Sequence, residues 1–183
     1  MALPDFAKFQ HGTAVIWGEA GATGISLTVT NTLTFEALAA GSGRMGVKED
    51  LGAVWDVEYY VQLIIESGTA PTAGGTVELY MANSFQDANY PGGVSGADAA
   101  WPADGNEDEW RKQLGAPVVI LSATNDADTV QVQEPVIWRP AGRWVVPVVD
   151  NNMDQAVRDE ATATNNDSRV VLVPRQLLVQ DAA

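Results

Sequence analysis

The side chains able to do chemistry are few, and their spacing speaks against a reaction. His11 is the only histidine, beside Gly12 in an N-terminal segment. A nucleophile's base or a metal centre would have to use it, and no spacing supplies it with a partner. Asp56 and Glu58 lie two apart, so on an extended strand they point the same way and imitate a glycosidase's carboxylate pair. That chemistry needs a cleft for the sugar and one acid of raised pKa; an alternating strand ordinarily just solvates its polar face. Ser95, in Gly93-Val94-Ser95-Gly96, lacks both the glycine spacing of a nucleophile elbow and a usable base.

Two glycine- and acid-rich runs imitate ligand loops. Gly41-Ser42-Gly43-Arg44-Met45-Gly46 spells G-x-G-x-x-G, but a dinucleotide loop needs a strand before it, a helix after it and an acid about 20 residues on. Val47–Gly52 leads into a strand instead, so the run reads as a glycine-rich turn. Asp104-Gly105-Asn106-Glu107-Asp108 offers the oxygens of a calcium loop, yet Glu109 stands where glycine is required and Gly115 where glutamate is. The competing assignment is a short helix. Asn106 or Asp104 caps it, acids fill its first turn, Arg111 and Lys112 its last, and Gly115 ends it. The spacing favours the helix and leaves calcium as the lesser alternative. No catalytic residue, cofactor or metal is therefore expected, and the chain is not expected to be an enzyme.

Composition narrows the classes further. The 183 residues suit one domain, and 46% hydrophobic against 19% charged residues indicates a globular chain. With zero cysteines, disulfides and thiolate sites are absent. A net charge of −14 with only 10 Lys and Arg speaks against nucleic acid, and favours neutral, basic or cationic partners. Residues 1–12, read as an N-terminal arm, hold no apolar run of a signal peptide. No stretch approaches the roughly 18 apolar residues of a membrane span. Synthesis in a cytoplasm is expected.

Period-two alternation dominates the elements that must position these residues. Ile25, Leu27, Val29, Leu33 and Phe35 alternate with Ser26, Thr28, Thr30, Thr32 and Thr34, with a break or bulge at Asn31. Trp55, Val57, Tyr59, Val61, Leu63 and Ile65 form a second apolar row, and Val77, Leu79 and Met81 a third. A hairpin through Ser67–Gly75 would set Leu63 against Leu79 and Ile65 against Val77. Further strands are expected at Thr13–Trp17, Val118–Ser122, Thr129–Trp138, Arg143–Val149 and Arg169–Val179. Pro135, Pro147 and Pro174 within them suggest edges or bulges. About eight strands and no long helix predict a single all-β domain over 1–183, a jelly-roll-like antiparallel β-sandwich with one long loop carrying the short helix.

That loop, Ser84–Gly115, exceeds a simple connection, and Asn151–Ser168 reads as a polar surface excursion. Trp17, Trp55, Trp138 and Trp144 lie on or beside strands and default to the core. Trp101 and Trp110 sit in the long loop, where an aromatic either folds back or meets a partner. Tyr90, Trp101, Trp110 and Arg111 are the candidate partner contacts, as aromatics and arginine commonly anchor interfaces.

Val77-Glu78-Leu79-Tyr80-Met81-Ala82, followed by the run from Asn89 to Trp101 (N-x-PGG-V-S-G-x-D-A-A-W), resembles a pattern in structural proteins of tailed phages. Pro91-Gly92-Gly93 makes a tight turn, and Asp98 can tie a backbone amide. The resemblance rests on about 25 residues of strand and loop and implies a virion structural protein. It does not separate a capsid cement or decoration protein from a tail component. Decoration proteins of this kind imply β-domains clamped across major capsid proteins, often as trimers, without cofactor or catalysis. The alternative is a tail or host-recognition module binding glycans with Tyr90, Trp101 and Trp110.

Overall fold

The computed structural model describes residues 6–19, 27–53, 55–102, 106–157 and 167–180. Among the described residues, thirteen strands make up two sheets. In chain order they are β1 (Phe6–His11), β2 (Val15–Gly18), β3 (Asn31–Thr32), β4 (Ser42–Met45), β5 (Glu49–Asp50), β6 (Glu58–Ile65) and β7 (Thr76–Ser84). Then follow β8 (Ala99–Trp101), helix α1 (Glu107–Leu114), β9 (Val119–Ser122), β10 (Gln131–Val132), β11 (Val136–Trp138), β12 (Trp144–Asn151) and β13 (Arg169–Gln180). One sheet runs β10-β6-β13-β2-β3, with β11 also on β6 and β1 also on β13; the other runs β8-β4-β12-β7-β9, with β5 also on β12.

Setting aside the accessory strands β1, β3, β5 and β8, and joining β10 to β11, leaves eight principal strands. Their order is sixth-third-eighth-first in one sheet and second-seventh-fourth-fifth in the other. The chain passes to the opposite sheet at nearly every connection, a jelly-roll-like interleaving. Pairing is antiparallel throughout except for β2 with β3.

The core lies between the sheets. Tyr59, Val61, Leu63 and Ile65 enter it from one layer and Val77, Leu79 and Met81 from the other, as the alternation expects. The expected hairpin between these rows does not form. β6 pairs with β13, β10 and β11, whereas β7 pairs with β12 and β9, and Ser67–Gly75 arches from sheet to sheet. Alternation dictates which face is buried, not which strand is the neighbour. The arch is held by Asn125 Nδ2 donating to the Pro71 carbonyl at 3.0 Å and by Thr72 donating its N–H to Asp154 at 2.9 Å.

The strand expected over 25–35 is also corrected. Ile25 and Ser26 lie outside the described residues, and only Asn31–Thr32 pairs. Leu27 and Val29 pack on the outer face of the first sheet against Ile16, Ile64 and Val171, whereas Leu33 and Phe35 enter the core. The segment therefore crosses the sheet edge near Asn31, the residue marked as a break. Val57, expected in the buried row, is 76% exposed because the ladder begins only at Glu58.

Pro147 and Pro174 occupy central strands, not edges. On β12, Pro147 falls where the neighbour changes from β4 to β5, and its carbonyl accepts from Gly46 N at 2.9 Å. On β13, Pro174 falls where the neighbour changes from β1 to β2, and its carbonyl accepts from Gly12 N at 3.1 Å. A residue's N–H and C=O point to the same side of its strand. Each missing N–H thus faces the break between two neighbours, where no ladder bond is lost. Pro135 sits between β10 and β11, off the ladder, as expected.

Candidate contact surface

The long loop does not hang free. On the second sheet's outer face, Met45, Tyr80, Ala82, Val146 and Val148 are buried under Val94 and Trp101, with Tyr90, Ala99, Trp110 and Leu114 packed around them. Tyr90, Val94, Ala99, Trp101, Trp110 and Leu114, all between Ser84 and Gly115, thus form a cover over one face of the sandwich.

Six residues of the Asn89–Trp101 run have a physical task in this cover. Gly92 (φ 71°) and Gly93 (φ 67°) turn left-handed, a conformation that favours glycine. A Cβ on Gly92 would lie 2.5 Å from Leu114 Cγ, and one on Gly93 3.1 Å from the Trp110 ring, so α1 packs straight onto the turn. Trp101 is 2% exposed and donates Nε1–H to the Gly92 carbonyl at 2.7 Å. Gly96 accepts from Lys48 N, and Ser95 N–H points at Met45 Sδ.

Asp98 is the rivet. Its Oδ1 accepts from Arg44 Nε at 2.8 Å and from Thr34 N at 3.1 Å, while the Thr34 hydroxyl donates to Oδ2. Burial works to raise this carboxyl. The hydrogen bonds from Arg44 and Thr34, with the Arg44 charge, outweigh it and hold Asp98 below the usual carboxylate range.

Of the four candidate contacts, Trp101 folds inward and is unavailable to a partner or a sugar face. Tyr90 and Trp110 are half-buried against the same cluster. Helix α1 spans Glu107–Leu114 and ends at Gly115 (φ 82°), as the spacing expects; Asn106 stands at the N-cap position but makes no side-chain capping hydrogen bond there. Arg111 on it bonds Glu107 at 2.5 Å, Asn152 at 3.1 Å and the buried Asp150. Burial pushes Asp150 up while Arg111 opposes the shift. Arg111 therefore clamps the helix to β12.

The residues that imitated active sites are engaged elsewhere. Glu58 lies between Arg139 and Arg175, each at 2.5 Å. The Arg139 hydrogen bond first, then that of Arg175, pulls its carboxyl down against the desolvation that would raise it. A glycosidase acid needs the opposite shift. Asp56 accepts from Gln176 at 3.3 Å at the rim of a cavity of about 320 Å³, over Val15, Leu51, Tyr59 and Pro174. Glu49 and Asp50, also lining it, hold Asn31 and Arg143.

His11, placed in an arm by sequence, ends strand β1 paired to β13, with its ring 5.6 Å from Tyr60. Gly41 turns into β4, with no helix following. Asp104 and Gly105 lie outside the described residues, among which no three His, Asp or Glu gather to hold a metal.

What sequence reasoning missed is the exposed apolar set. Ile120 (51%), Val132 (55%) and Ile137 (51%) stand on β9, β10 and β11, the strands that close the two sheets on one side. The signal was available: each sits at the wet parity of its strand, where a polar residue would be ordinary.

Compared with known protein families, characterised proteins and solved structures, the chain matches none.

Proposed function

We propose that this chain is a non-catalytic structural protein of a virus particle, a capsid cement or decoration protein acting by burying surface against neighbouring major capsid proteins. The observation that carries the contact half is the set of large apolar side chains left exposed on the edge strands, Ile120 on the outer face of one sheet and Val132 and Ile137 on that of the other. Exposed apolar side chains flanking one edge of a sandwich mark that edge as an interaction surface. The particle half rests on the Asn89–Trp101 resemblance and accords with the jelly-roll-like strand order. The glycan alternative is the weaker reading, because Trp101 points inward and Tyr90 and Trp110 pack against the sheet.

The test is a cryo-EM comparison of particles assembled with and without the chain, together with their heat resistance. Added density across capsomer junctions and a higher opening temperature are expected. Particles identical in both respects, or a chain that binds glycans and leaves capsids bare, would overturn the proposal.

A further inference from the structure

The geometry points to β9 as a strand-addition site for an extended segment of a partner protein that alternates apolar with lysine or arginine side chains. This deepens the contact reading by naming the partner's chemistry, and rests on it only for the claim that the chain works through protein contact.

Three observations carry it. First, β9 is an open edge: its ladder is with β7, and no other described strand pairs with it. Ala123 N donates to the Gly75 carbonyl at 2.8 Å, so by alternation the N–H and C=O of Ser122 and Ile120 point away from β7. Such an edge is a template for another strand. The neighbouring edge is blunted by Pro135 between β10 and β11, whereas Val119–Ser122 contains neither proline nor lysine.

Second, Ile120 stands 51% exposed in the middle of that edge, ready to pack against an apolar side chain of an added strand. Third, the carboxylates around this side are uncompensated. Asp50, Glu58, Asp98 and Asp150 each hold an arginine. Asp126 and Asp128, just beyond β9, and Glu134, between β10 and β11, are exposed with no cation in ion-pair range among the described residues. Charge complementarity therefore calls for a cationic occupant. A second copy would bring the same carboxylates and another −14 of net charge.

The test uses the full chain and a short synthetic peptide alternating lysine and valine, with a glutamate–valine peptide of equal length as control. The lysine peptide is expected to bind, and to slow hydrogen exchange at the Ile120 and Ser122 amides by about tenfold or more. Ile120→Asp, and separately Asp126→Lys with Asp128→Lys, are expected to weaken binding about tenfold. Ser122→Pro removes an outward N–H; should it fail to fold, the exchange data and Ile120→Asp decide alone.

Binding without protection at Ile120 and Ser122, equal binding by the variants, or no binding overturns the β9 assignment. Concentration-dependent protection of the chain alone, abolished by Ile120→Asp, would make the occupant a second copy and overturn it equally. Particles still decorated by Ile120→Asp chains would sink this inference and leave the proposed function standing.

Discussion

Gly46 lies directly beneath Pro147. Its N–H meets the proline carbonyl at 2.9 Å, and a Cβ added to it would stand 3.0 Å from Pro147 Cγ, 3.1 Å from Trp17 Cδ1 and 3.3 Å from Leu33 Cβ. Gly12 repeats the relationship with Pro174 at 3.0 Å, but there its other close neighbour is the Gln176 amide.

Gly46→Ala should therefore cost about 1–3 kcal/mol, as overpacking among buried neighbours does. Gly12→Ala should cost less, since a partly exposed glutamine can move aside. Urea unfolding of both variants checks the order; equal costs would mean that both sites relax alike.

Leu63→Ala should cost about 2–5 kcal/mol, because Leu63 is fully enclosed between the sheets. Gln62, on the opposite face, is no idle surface residue: its Nε2 donates to the Gln133 carbonyl at 3.0 Å. Gln62→Ala should cost about 0.5–1.5 kcal/mol, the ordinary worth of one hydrogen bond.

Cutting back the Ser84–Gly115 cover should not leave a sound sheet. It would strip Val146, Val148, Tyr80 and Met45 of their packing, so the shortened chain is expected to aggregate. Trp101→Ala alone should cost about 3–5 kcal/mol, and Trp101→Phe less, since it keeps one buried ring while losing the bond to Gly92 and part of the packing. A shortened chain that melts like the parent would refute the cover.

Acid should loosen this cover through Asp98. Its folded pKa lies below the unfolded value, so its stabilisation is present above the unfolded pKa and fades as pH falls through the folded one. Burial raises Glu19 and Asp150 instead, and these work in the other direction. Asp98→Asn should cost about 1.5–3 kcal/mol at neutral pH, the range for a hydrogen bond to a charged group. It should also flatten the acid limb of stability against pH; an unchanged limb would place the acid sensitivity elsewhere.

The alternation of Tyr59 through Ile65 made facing legible in the sequence, since parity alone decides it. Neighbours were not legible: nothing local to Leu63 and Leu79 says that they meet across a core and not along a ladder. The covered outer faces did leave a trace. Val145-Val146-Pro147-Val148-Val149 and Tyr80-Met81-Ala82 are unbroken apolar runs, the mark of strands buried on both faces. From them the inward fate of Trp101 could have been anticipated. The placement of Asp98 against Thr34 and Arg44 could not, because it joins residues 64 and 54 positions apart.

Each sheet is centred on a strand from the last quarter of the chain, β12 in one and β13 in the other. While the polypeptide is being synthesised, β4, β6 and β7 therefore leave the ribosome with the strands they flank still unmade. Until residues 144–180 arrive, β6 and β7 lack the central strands they pair with. Pairings this distant in sequence make folding slow, and waiting strands are prone to aggregate. Chaperone demand in the producing cell is thus built into the strand order, and the excess negative charge helps keep the waiting chains apart.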